Sequence, residues 1–280
     1  MRVDSHQHFW IYNDRDYGWM ADDAAAIRRD FLPEDFVAVS AASGITRSVA
    51  VQARQTLAET EWLFSLAETS PIIGGVVGWV DLRSGSVEGD LERLSANAQL
   101  KGVRHVVHDE PDDDFILGNA FRRGIGLLRR FSLTYDILIF SRHLERTARF
   151  VRLFPDQLFV VDHIGKPAIR DGEFDRWRAA LAEVAAAPNV FCKLSGMVSE
   201  AASHRWTAET FRPYIDTVIE LFGPERVMFG SDWPVCTLES DYAHIYRIVS
   251  RAIEELSADE QGAILGGSAE RFYRLKSDAD

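Results

Sequence analysis

Short apolar runs rich in valine, isoleucine and phenylalanine alternate along this chain with longer amphipathic stretches. Eight of the runs have the length and composition of buried strands, and they occupy residues 2–8, 47–52, 74–80, 100–106, 133–139, 158–162, 190–193 and 227–229. Helical patterns between most of them cover residues 56–69, 87–98, 119–130, 144–153, 173–186 and 208–222. Parallel neighbours need a crossover connection, so the alternation predicts a parallel sheet. Eight such units in 280 residues predict one α/β domain, 1–280, folded as a (β/α)8 TIM barrel.

An open doubly wound sheet is the alternative architecture. Nucleotide-binding sheets of that kind carry a glycine-rich phosphate loop after their first strand. Here the first strand leads into His8, Phe9 and Trp10, and neither G-x-G-x-x-G nor G-x-x-x-x-G-K-[ST] follows it. The sequence therefore favours the barrel and argues against a nucleotide site.

The charge balance and the cysteine content limit the partners of this chain. Its 43 acidic and 31 basic residues give a formal charge of −12, whereas nucleic acids and anionic membranes require a basic surface. Two cysteines are too few for a disulfide framework, and no apolar run approaches the roughly 18 residues of a membrane helix. The segment MRVDSHQHFW lacks the apolar core of a signal peptide. We expect a cytoplasmic protein with a small-molecule partner, and its oligomeric state stays open.

The segment 9–46 is longer than the other strand-to-helix connections. It contains five aromatic residues between positions 9 and 19, followed by a helical pattern over 33–43. Long ordered loops often serve function, so we interpret it as a first βα loop that folds over the barrel mouth. A surface elaboration with packing aromatics is the alternative interpretation.

Polar residues concentrate where the predicted strands end, and in a barrel those ends meet at one face. Strand side chains alternate, so Asp4, His6 and His8 are expected on one face of the first strand. Two imidazoles at i and i+2 can bind a divalent metal or polarise a carbonyl. Two histidines satisfied by ordinary hydrogen bonds are the alternative.

The sixth and eighth strands end in further candidates. His163 follows a run of valines and would face the barrel mouth, with Lys166 on the next loop, unless Asp162 only caps a helix beside a surface histidine. Asp232 follows the eighth strand, and there it can be a general base or a metal ligand. Its alternative role, as a helix N-cap, fits less well because Pro234 does not open a helix directly.

The remaining strands give less specific candidates. Arg104 could hold a substrate carbonyl, and Lys193 within an apolar strand should face a polar cavity because burial of an unpaired charge is costly. Cys192 and Cys236 are expected in the core or in loops, and the absence of a G-x-S-x-G motif disfavours a serine hydrolase. Weaker candidates at or near strand ends are Gln52, Asp81, Glu110, Tyr135 and Arg142.

Six segments spread through the chain together resemble the sugar-lactone hydrolase branch of the amidohydrolase superfamily, the amidohydrolase 2 proteins, which includes L-fuconolactonases and L-rhamnonolactonases. They read DSHQHFW at 4–10, VRHVVHDEPDDDF at 103–115, LTYDILIF at 133–140, FVVDHIGKP at 159–167, NVFCKLSG at 189–196 and FGSDWPVC at 229–236. The resemblance implies a (β/α)8 barrel whose site lies at the carboxyl ends of the strands. It also implies hydrolysis of a sugar lactone to the sugar acid.

The resemblance also implies roles for individual residues. If one divalent ion such as Zn²⁺ is bound, its ligands would be His6, His8, His163 and Asp232. Metal-dependent relatives often add a lysine or glutamate on the fourth strand or a histidine on the fifth, whereas this chain has Arg104-His105 and Tyr135-Asp136 there, so a metal-independent enzyme is the other expectation. Asp232 would activate water beside His163, with Arg104 or Lys193 on the carbonyl, and the substrate would contact Trp10, Glu110, Tyr135, Arg142, Lys166 and Trp233.

Two alternative functions stay open at this level. A metal-dependent decarboxylase or a pyrone-type dicarboxylate lactonase of the same superfamily would need an acidic substrate held by several arginines. A barrel that binds sugars without catalysis would not need the combination of His6, His8, His163 and Asp232.

Overall fold

Parallel strands, each paired with the next one along the chain, form a nearly closed barrel in a computed structural model that describes residues 1–20, 22–201 and 205–276. Within these residues the eight strands are β1 Val3–Gln7, β2 Arg47–Val51, β3 Ile73–Gly78, β4 Leu100–Val106, β5 Thr134–Leu138, β6 Phe159–Val161, β7 Val190–Leu194 and β8 Val227–Phe229. Strand β8 returns to β1, where the His8 N–H donates to the Trp233 carbonyl over 2.7 Å and the Asp232 N–H donates to the His6 carbonyl over 2.8 Å. The predicted (β/α)8 barrel is confirmed.

Helices surround the barrel and connect the strands. They are α1 Pro33–Ser40, α2 Leu57–Thr69, α3 Val87–Ser95, α4 Asn119–Leu128, α5 Leu144–Val151, α6 Phe174–Ala185, α7 Ala208–Phe222, α8 Tyr242–Ala252, α9 Ala258–Gly262 and α10 Ser268–Tyr273. No helix in the described ranges is long and apolar enough to cross a membrane. The six helices predicted between strands all form, each within a few residues of its predicted ends.

Strand alternation divides the buried apolar side chains into two clusters. Residues such as Val76 and Val161 belong to the large cluster between the sheet and the helices. The neighbouring Val77 and Val160 belong to a smaller cluster inside the barrel, which also contains Tyr273 of α10. Helix α10 therefore closes the end of the barrel opposite the carboxyl ends of the strands.

The long first βα loop crosses the barrel mouth. Trp10 and Phe31 exchange two backbone hydrogen bonds of 3.0 and 2.9 Å, and the Trp10 indole N–H donates to the Arg29 carbonyl over 2.9 Å. These bonds hold Trp10 at the mouth, and Trp19 of the same loop lies beside it with a centroid separation of 6.3 Å. The loop thereby supplies aromatic walls to the cavity described below.

A close approach between α4 and the loop after β3 should make one glycine of this helix irreplaceable. A Cβ at Gly124 would lie 2.1 Å from the Leu82 carbonyl oxygen, whereas a Cβ at Gly126 would lie no closer than 3.8 Å to the Phe154 ring. We expect Gly124→Ala to lower the free energy of unfolding by about 1–3 kcal/mol, since the clash outweighs a gain of about 1 kcal/mol in helix propensity. Chemical denaturation measures this. Gly126→Ala on the same helix is the control and should be neutral or stabilising, and equal effects of the two changes would contradict the packing argument.

Candidate active site

A cavity of about 290 Å³ lies at the carboxyl ends of the strands, beneath the first βα loop. Its floor contains the ends of β1, β6 and β8, and its walls come from the connecting loops. The lining residues are His8, Trp10, Trp19, Ala53, Arg104, Val106, His108, Asp109, Leu138, His163, Lys166, Asp232 and Val235. Six of the residues predicted from the sequence, among them Asp232, His163 and Trp10, therefore line one cavity.

His6, His8 and Asp232 converge at the floor of this cavity. His6 Nε2 and His8 Nε2 are 3.2 Å apart, and Asp232 Oδ1 lies 3.7 Å from the first and 3.4 Å from the second. His163 Nε2 approaches the same carboxylate oxygen to 3.9 Å. All four side chains are buried. The four residues selected at the ends of the first, sixth and eighth strands thus form one cluster.

Asp4 does not join this cluster, which corrects the expectation that it shares a face with His6 and His8. The pairing of β1 with β2 is irregular between Asp4 and Gln7, where three steps on β1 match two on β2. This bulge shifts the alternation by one residue. The Asp4 carboxylate instead accepts hydrogen bonds from the Ser231 N–H at 3.0 Å and from the Tyr242 hydroxyl at 2.9 Å.

The backbone at the end of β6 takes a rare conformation that places His163. His163, Ile164 and Lys166 have φ of 55°, 52° and 46°, the left-handed region that non-glycine residues seldom adopt. The His163 ring then packs on Gly196, where an added Cβ would lie 2.4 Å from Nδ1. Ser195 Oγ lies 2.9 Å from the same Nδ1 and orients the ring. Backbone strain of this kind is typical of functional sites.

Asp232 is held as a carboxylate although it is buried. Burial raises the pKa of its carboxyl group, but His163, His8 and Lys166 outweigh burial and leave the pKa below its usual value. Its own φ is 59°, again in the left-handed region. The ionised form is the one that can accept a proton or ligate a cation.

Hydrogen-bond partners define which nitrogen of each histidine carries the proton. His8 Nδ1 lies 2.8 Å from the Val51 carbonyl, which can only accept, so Nδ1 carries a proton and Nε2 is the nitrogen that faces Asp232. Arg104 Nη1 can only donate, and it lies 3.2 Å from His6 Nε2, so Nε2 of His6 presents its electron pair there. Burial is the main reason why the pKa of His6 lies well below its usual value, so the ring is neutral.

This locus fits a divalent metal. Two imidazole nitrogens and one carboxylate oxygen meet within a few ångströms, and these are typical Zn²⁺ ligands. His6, Asp162 and His163 form a second, overlapping group with ligand atoms in range of one another. The residues that could hold the ion therefore include all four that the sequence predicted as ligands.

Beneath the histidines lies a cluster of buried charges. Lys193 Nζ lies 2.5 Å from Asp136 Oδ2 and 2.9 Å from Asp162 Oδ1, and Arg104 Nη1 lies 3.2 Å from Asp162 Oδ2. Burial raises the pKa of Asp162, but Lys193 and His6 outweigh it and hold the pKa well below its usual value. Lys193 is fully buried and is not among the cavity-lining residues, so its depth in the barrel separates it from the cavity.

Four predicted substrate contacts lie outside the cavity lining. Tyr135 faces the helices next to Phe121, because alternation along β5 turns only its neighbour inward. The other three are engaged elsewhere: Trp233 packs on Phe31 and Phe36, Arg142 pairs with Asp113, and Glu110 lies 2.7 Å from His105 Nε2.

The cavity lining also includes Trp19 of the first loop and His108, and of these two sequence reasoning missed His108. Trp19 is 50% exposed at the mouth. The His108 ring stacks on Phe140 with a centroid separation of 4.6 Å, and burial, with Lys166 and Arg104, lowers its pKa to about 3. The aromatic content of the first loop indicated Trp19, whereas His108 lay in an acidic run that is typical of a solvated loop.

Zinc binding should stabilise the fold through the His6–His8–Asp232 locus. At an ion concentration about 100 times the dissociation constant, the free energy of unfolding should rise by about 2.7 kcal/mol. His8→Asn should remove most of this gain, because one ligand is lost. Thermal unfolding with and without Zn²⁺ measures the effect. His244→Asn, on a half-buried ring that is bonded to Ser240, is the control; if it lost the gain as fully as His8→Asn, the locus would be wrong.

Comparison with known proteins places this geometry in a family. An L-fucono-1,5-lactonase of Burkholderia multivorans is 40% identical over 293 aligned residues, which cover 100% of this chain and 98% of the relative. A second L-fucono-1,5-lactonase, from Burkholderia ambifaria, is 36% identical over 98% of this chain and 96% of its own length.

A solved structure gives the same result for the fold. The crystal structure of a Burkholderia multivorans amidohydrolase with bound zinc superimposes with a TM-score of 0.93 at 41% identity, covering 99% of this chain and 100% of that one. The family described as amidohydrolase matches residues 3–275, which is nearly the whole chain. This chain therefore belongs to the amidohydrolase family.

Proposed function

We propose that this protein hydrolyses a sugar lactone to the sugar acid, with L-fucono-1,5-lactone as the first candidate substrate. The observation that carries the proposal is the buried Asp232 carboxylate, which lies beside His163 and two further imidazoles on the floor of a cavity. Full-length relatives that are L-fucono-1,5-lactonases support the choice of a lactone. A cyclic ester needs an activated water, a polarised carbonyl and a proton for the leaving oxygen, and the site contains groups for each.

Asp232 is the group suited to activate water. Its carboxylate is ionised near neutral pH, because His163, His8 and Lys166 lower its pKa more than burial raises it. It takes a proton from water as the water oxygen attacks the carbonyl carbon. The His163 ring, fixed by Ser195 and by the close packing of Gly196, lies beside this carboxylate and orients the attacking water.

Arg104 is the protein group placed to stabilise the developing oxyanion. Its side chain lines the cavity, and its position is fixed by Asp162 and by hydrogen bonds from Nη2 to Gln52. A preorganised cation in a site that excludes water stabilises charge that develops in the transition state. A divalent ion held by His6, His8 and Asp232 would add Lewis acidity at the same carbonyl.

Collapse of the tetrahedral adduct completes the reaction. The bond between the carbonyl carbon and the ring oxygen breaks, and the ring oxygen leaves as an alkoxide that needs a proton. Asp232, protonated in the first step, returns that proton to it. The product is the open-chain hydroxy acid, which loses a proton to solvent near neutral pH, so turnover releases acid.

The charges of the cavity favour a neutral substrate over a dicarboxylate. Among the described lining residues, the permanent cations are Arg104 and Lys166. Arg104 Nη1 pairs with Asp162, and Lys166 Nζ lies 3.0 Å from Glu200 Oε1. Both cations are already balanced by half-buried or buried carboxylates, so an anionic substrate gains little from them. This supports a polyhydroxylated lactone rather than a pyrone-type acid or a benzoate.

A panel of sugar lactones tests the proposal. Acid release is followed near neutral pH on chelator-treated protein, with and without added Zn²⁺, which separates the contribution of the ion from that of Arg104. We expect turnover of L-fucono-1,5-lactone or a close stereoisomer in at least the zinc-loaded sample. Asp232→Asn should lower kcat by roughly 10²–10⁴-fold, because the amide cannot accept the proton of water.

The control for this test is Asp171→Asn, which makes the same change on an exposed loop after β6 and should leave turnover intact. Hydrolysis by Asp232→Asn at the rate of the parent protein would end the Asp232 mechanism. No turnover of any lactone in either metal state would end the lactonase proposal.

Trp19 should bind the substrate without taking part in the chemistry. It is half exposed at the mouth, packs edge-on against the buried Trp10, and offers an apolar face to a sugar ring. Loss of about 1 kcal/mol of aromatic contact corresponds to roughly a fivefold rise in KM. We expect Trp19→Ala to show this rise with little change in kcat, and Trp19→Phe to recover part of it. A fall in kcat with KM unchanged would show that Trp19 acts in the chemical step instead.

A further inference from the structure

We propose that Tyr273, on the helix that closes the opposite end of the barrel, is a positioning residue of the active site. Its side chain is fully buried in α10, and its hydroxyl donates a 2.7 Å hydrogen bond to Asp136 Oδ2. Asp136 lies on β5, inside the barrel. This contact begins a continuous chain of polar groups that leads from α10 to His6.

Lys193 carries the chain across the barrel interior. Its Nζ lies 2.5 Å from Asp136 Oδ2 and 2.9 Å from Asp162 Oδ1, and all three side chains are inaccessible to solvent. Ion pairs this short and this deeply buried hold their partners in fixed positions. The Tyr273 hydroxyl orients Asp136, Asp136 locates Lys193, and Lys193 locates Oδ1 of Asp162.

Asp162 then determines which electron pair His6 presents to the cavity. Asp162 Oδ1 lies 3.3 Å from His6 Nδ1, and Lys193 Nζ lies 3.2 Å from the same nitrogen. Arg104 Nη1 lies 3.2 Å both from Asp162 Oδ2 and from His6 Nε2. Because Arg104 can only donate, Nε2 keeps its electron pair, and the charge of the nearby Asp162 carboxylate favours the proton on Nδ1. The Nε2 electron pair then lies at the locus that it shares with His8 and Asp232. A carboxylate behind a ligating histidine fixes its tautomer and its orientation in the same way.

Stability alone gives no reason for this arrangement. The barrel interior next to it is filled by aliphatic side chains such as Val49, Val77 and Val160, which close the space without charge. Replacement of buried ion pairs by apolar residues of similar volume is often neutral or stabilising. Among the described residues, the cluster also leaves Asp136 Oδ1 and Asp162 Oδ1 buried without a hydrogen-bond partner. The cluster's role in positioning His6 explains why these buried charges are present despite their energetic cost.

The first test reads the tautomer in the wild-type protein and uses one variant only to assign signals. In metal-free protein labelled with ¹⁵N in histidine, the imidazole ¹⁵N shifts report which nitrogen carries the proton, and His6→Asn assigns the signals of His6. We expect the Nδ1–H tautomer for His6 near neutral pH. The Nε2–H tautomer in the wild-type protein would overturn the proposal, whatever the variants show.

The second test removes the far end of the chain of contacts. Tyr273→Phe keeps the aromatic packing and deletes the hydroxyl that orients Asp136. We expect Zn²⁺ affinity, measured by competition with a chromogenic chelator, to fall by about threefold to tenfold, less than the 10–100-fold loss typical of a group that touches the ligand. The His6 signals should shift toward a mixture of tautomers.

Tyr246→Phe is the matched control, since Tyr246 is a buried tyrosine of α8 that packs on Phe229 outside the barrel. It should leave both readouts unchanged. If Tyr273→Phe does not fold, Asp136→Asn, which keeps the size of the side chain and removes its charge, takes its place with the same expected shifts. Unchanged zinc affinity and unchanged His6 signals in a folded variant would show that Tyr273 only packs. Neither readout depends on lactone turnover, so the result is separate from that of the proposed function.

Discussion

The ion pairs of Lys193 with Asp136 and Asp162, in the middle of the barrel, are the interaction on which the rest of the site depends. Charges removed from water are costly unless each has a partner, and here Arg104 and Lys193 balance the two carboxylates. Because the cluster is neutral overall, it does not force a charge onto the imidazole above it. Burial keeps the pKa of His6 well below its usual value, so the ring stays neutral and its electron pair is available. A lone lysine at this depth would instead expel any cation from the histidine locus.

Local backbone geometry contributes a second constraint, at the strand ends. His163 and Asp232 both have positive φ, which costs of order 1–3 kcal/mol for each residue. The strain is maintained because neighbouring contacts fix both residues: Ser195 bonds the His163 ring, and the Asp232 N–H donates to the His6 carbonyl where the barrel closes. The position of Asp232 therefore depends on the closure between β1 and β8, and that of the His163 ring depends on Ser195.

Sequence patterns were sufficient for the barrel and for the residues at the strand ends, because barrel topology alone brings those ends together. They were insufficient where position depends on depth or on a local irregularity. Lys193 does face the barrel interior, as its charge indicated, but it lies below the cavity and is not one of the lining residues. The bulge in β1 turns Asp4 away from the histidines, and a bulge has no composition that marks it in a strand this short. Tyr135 and Asp136 are adjacent on β5, so strand alternation places only one of them inside the barrel. The sequence pattern did not show that Asp136 is the one that faces inward.

The pairing of charges around the cavity also affects how the product is released. Hydrolysis converts a neutral lactone into an anion beside Asp232, which is itself ionised. At a separation of a few ångströms two such charges repel, and in a partly buried site the repulsion exceeds the value in water. Among the described lining residues, Arg104 and Lys166 could hold the new carboxylate, but Asp162 and Glu200 already pair with them. The pairing that lets the site accept a neutral ring therefore also weakens its hold on the acid, so the same carboxylates that position the cations favour release of the product.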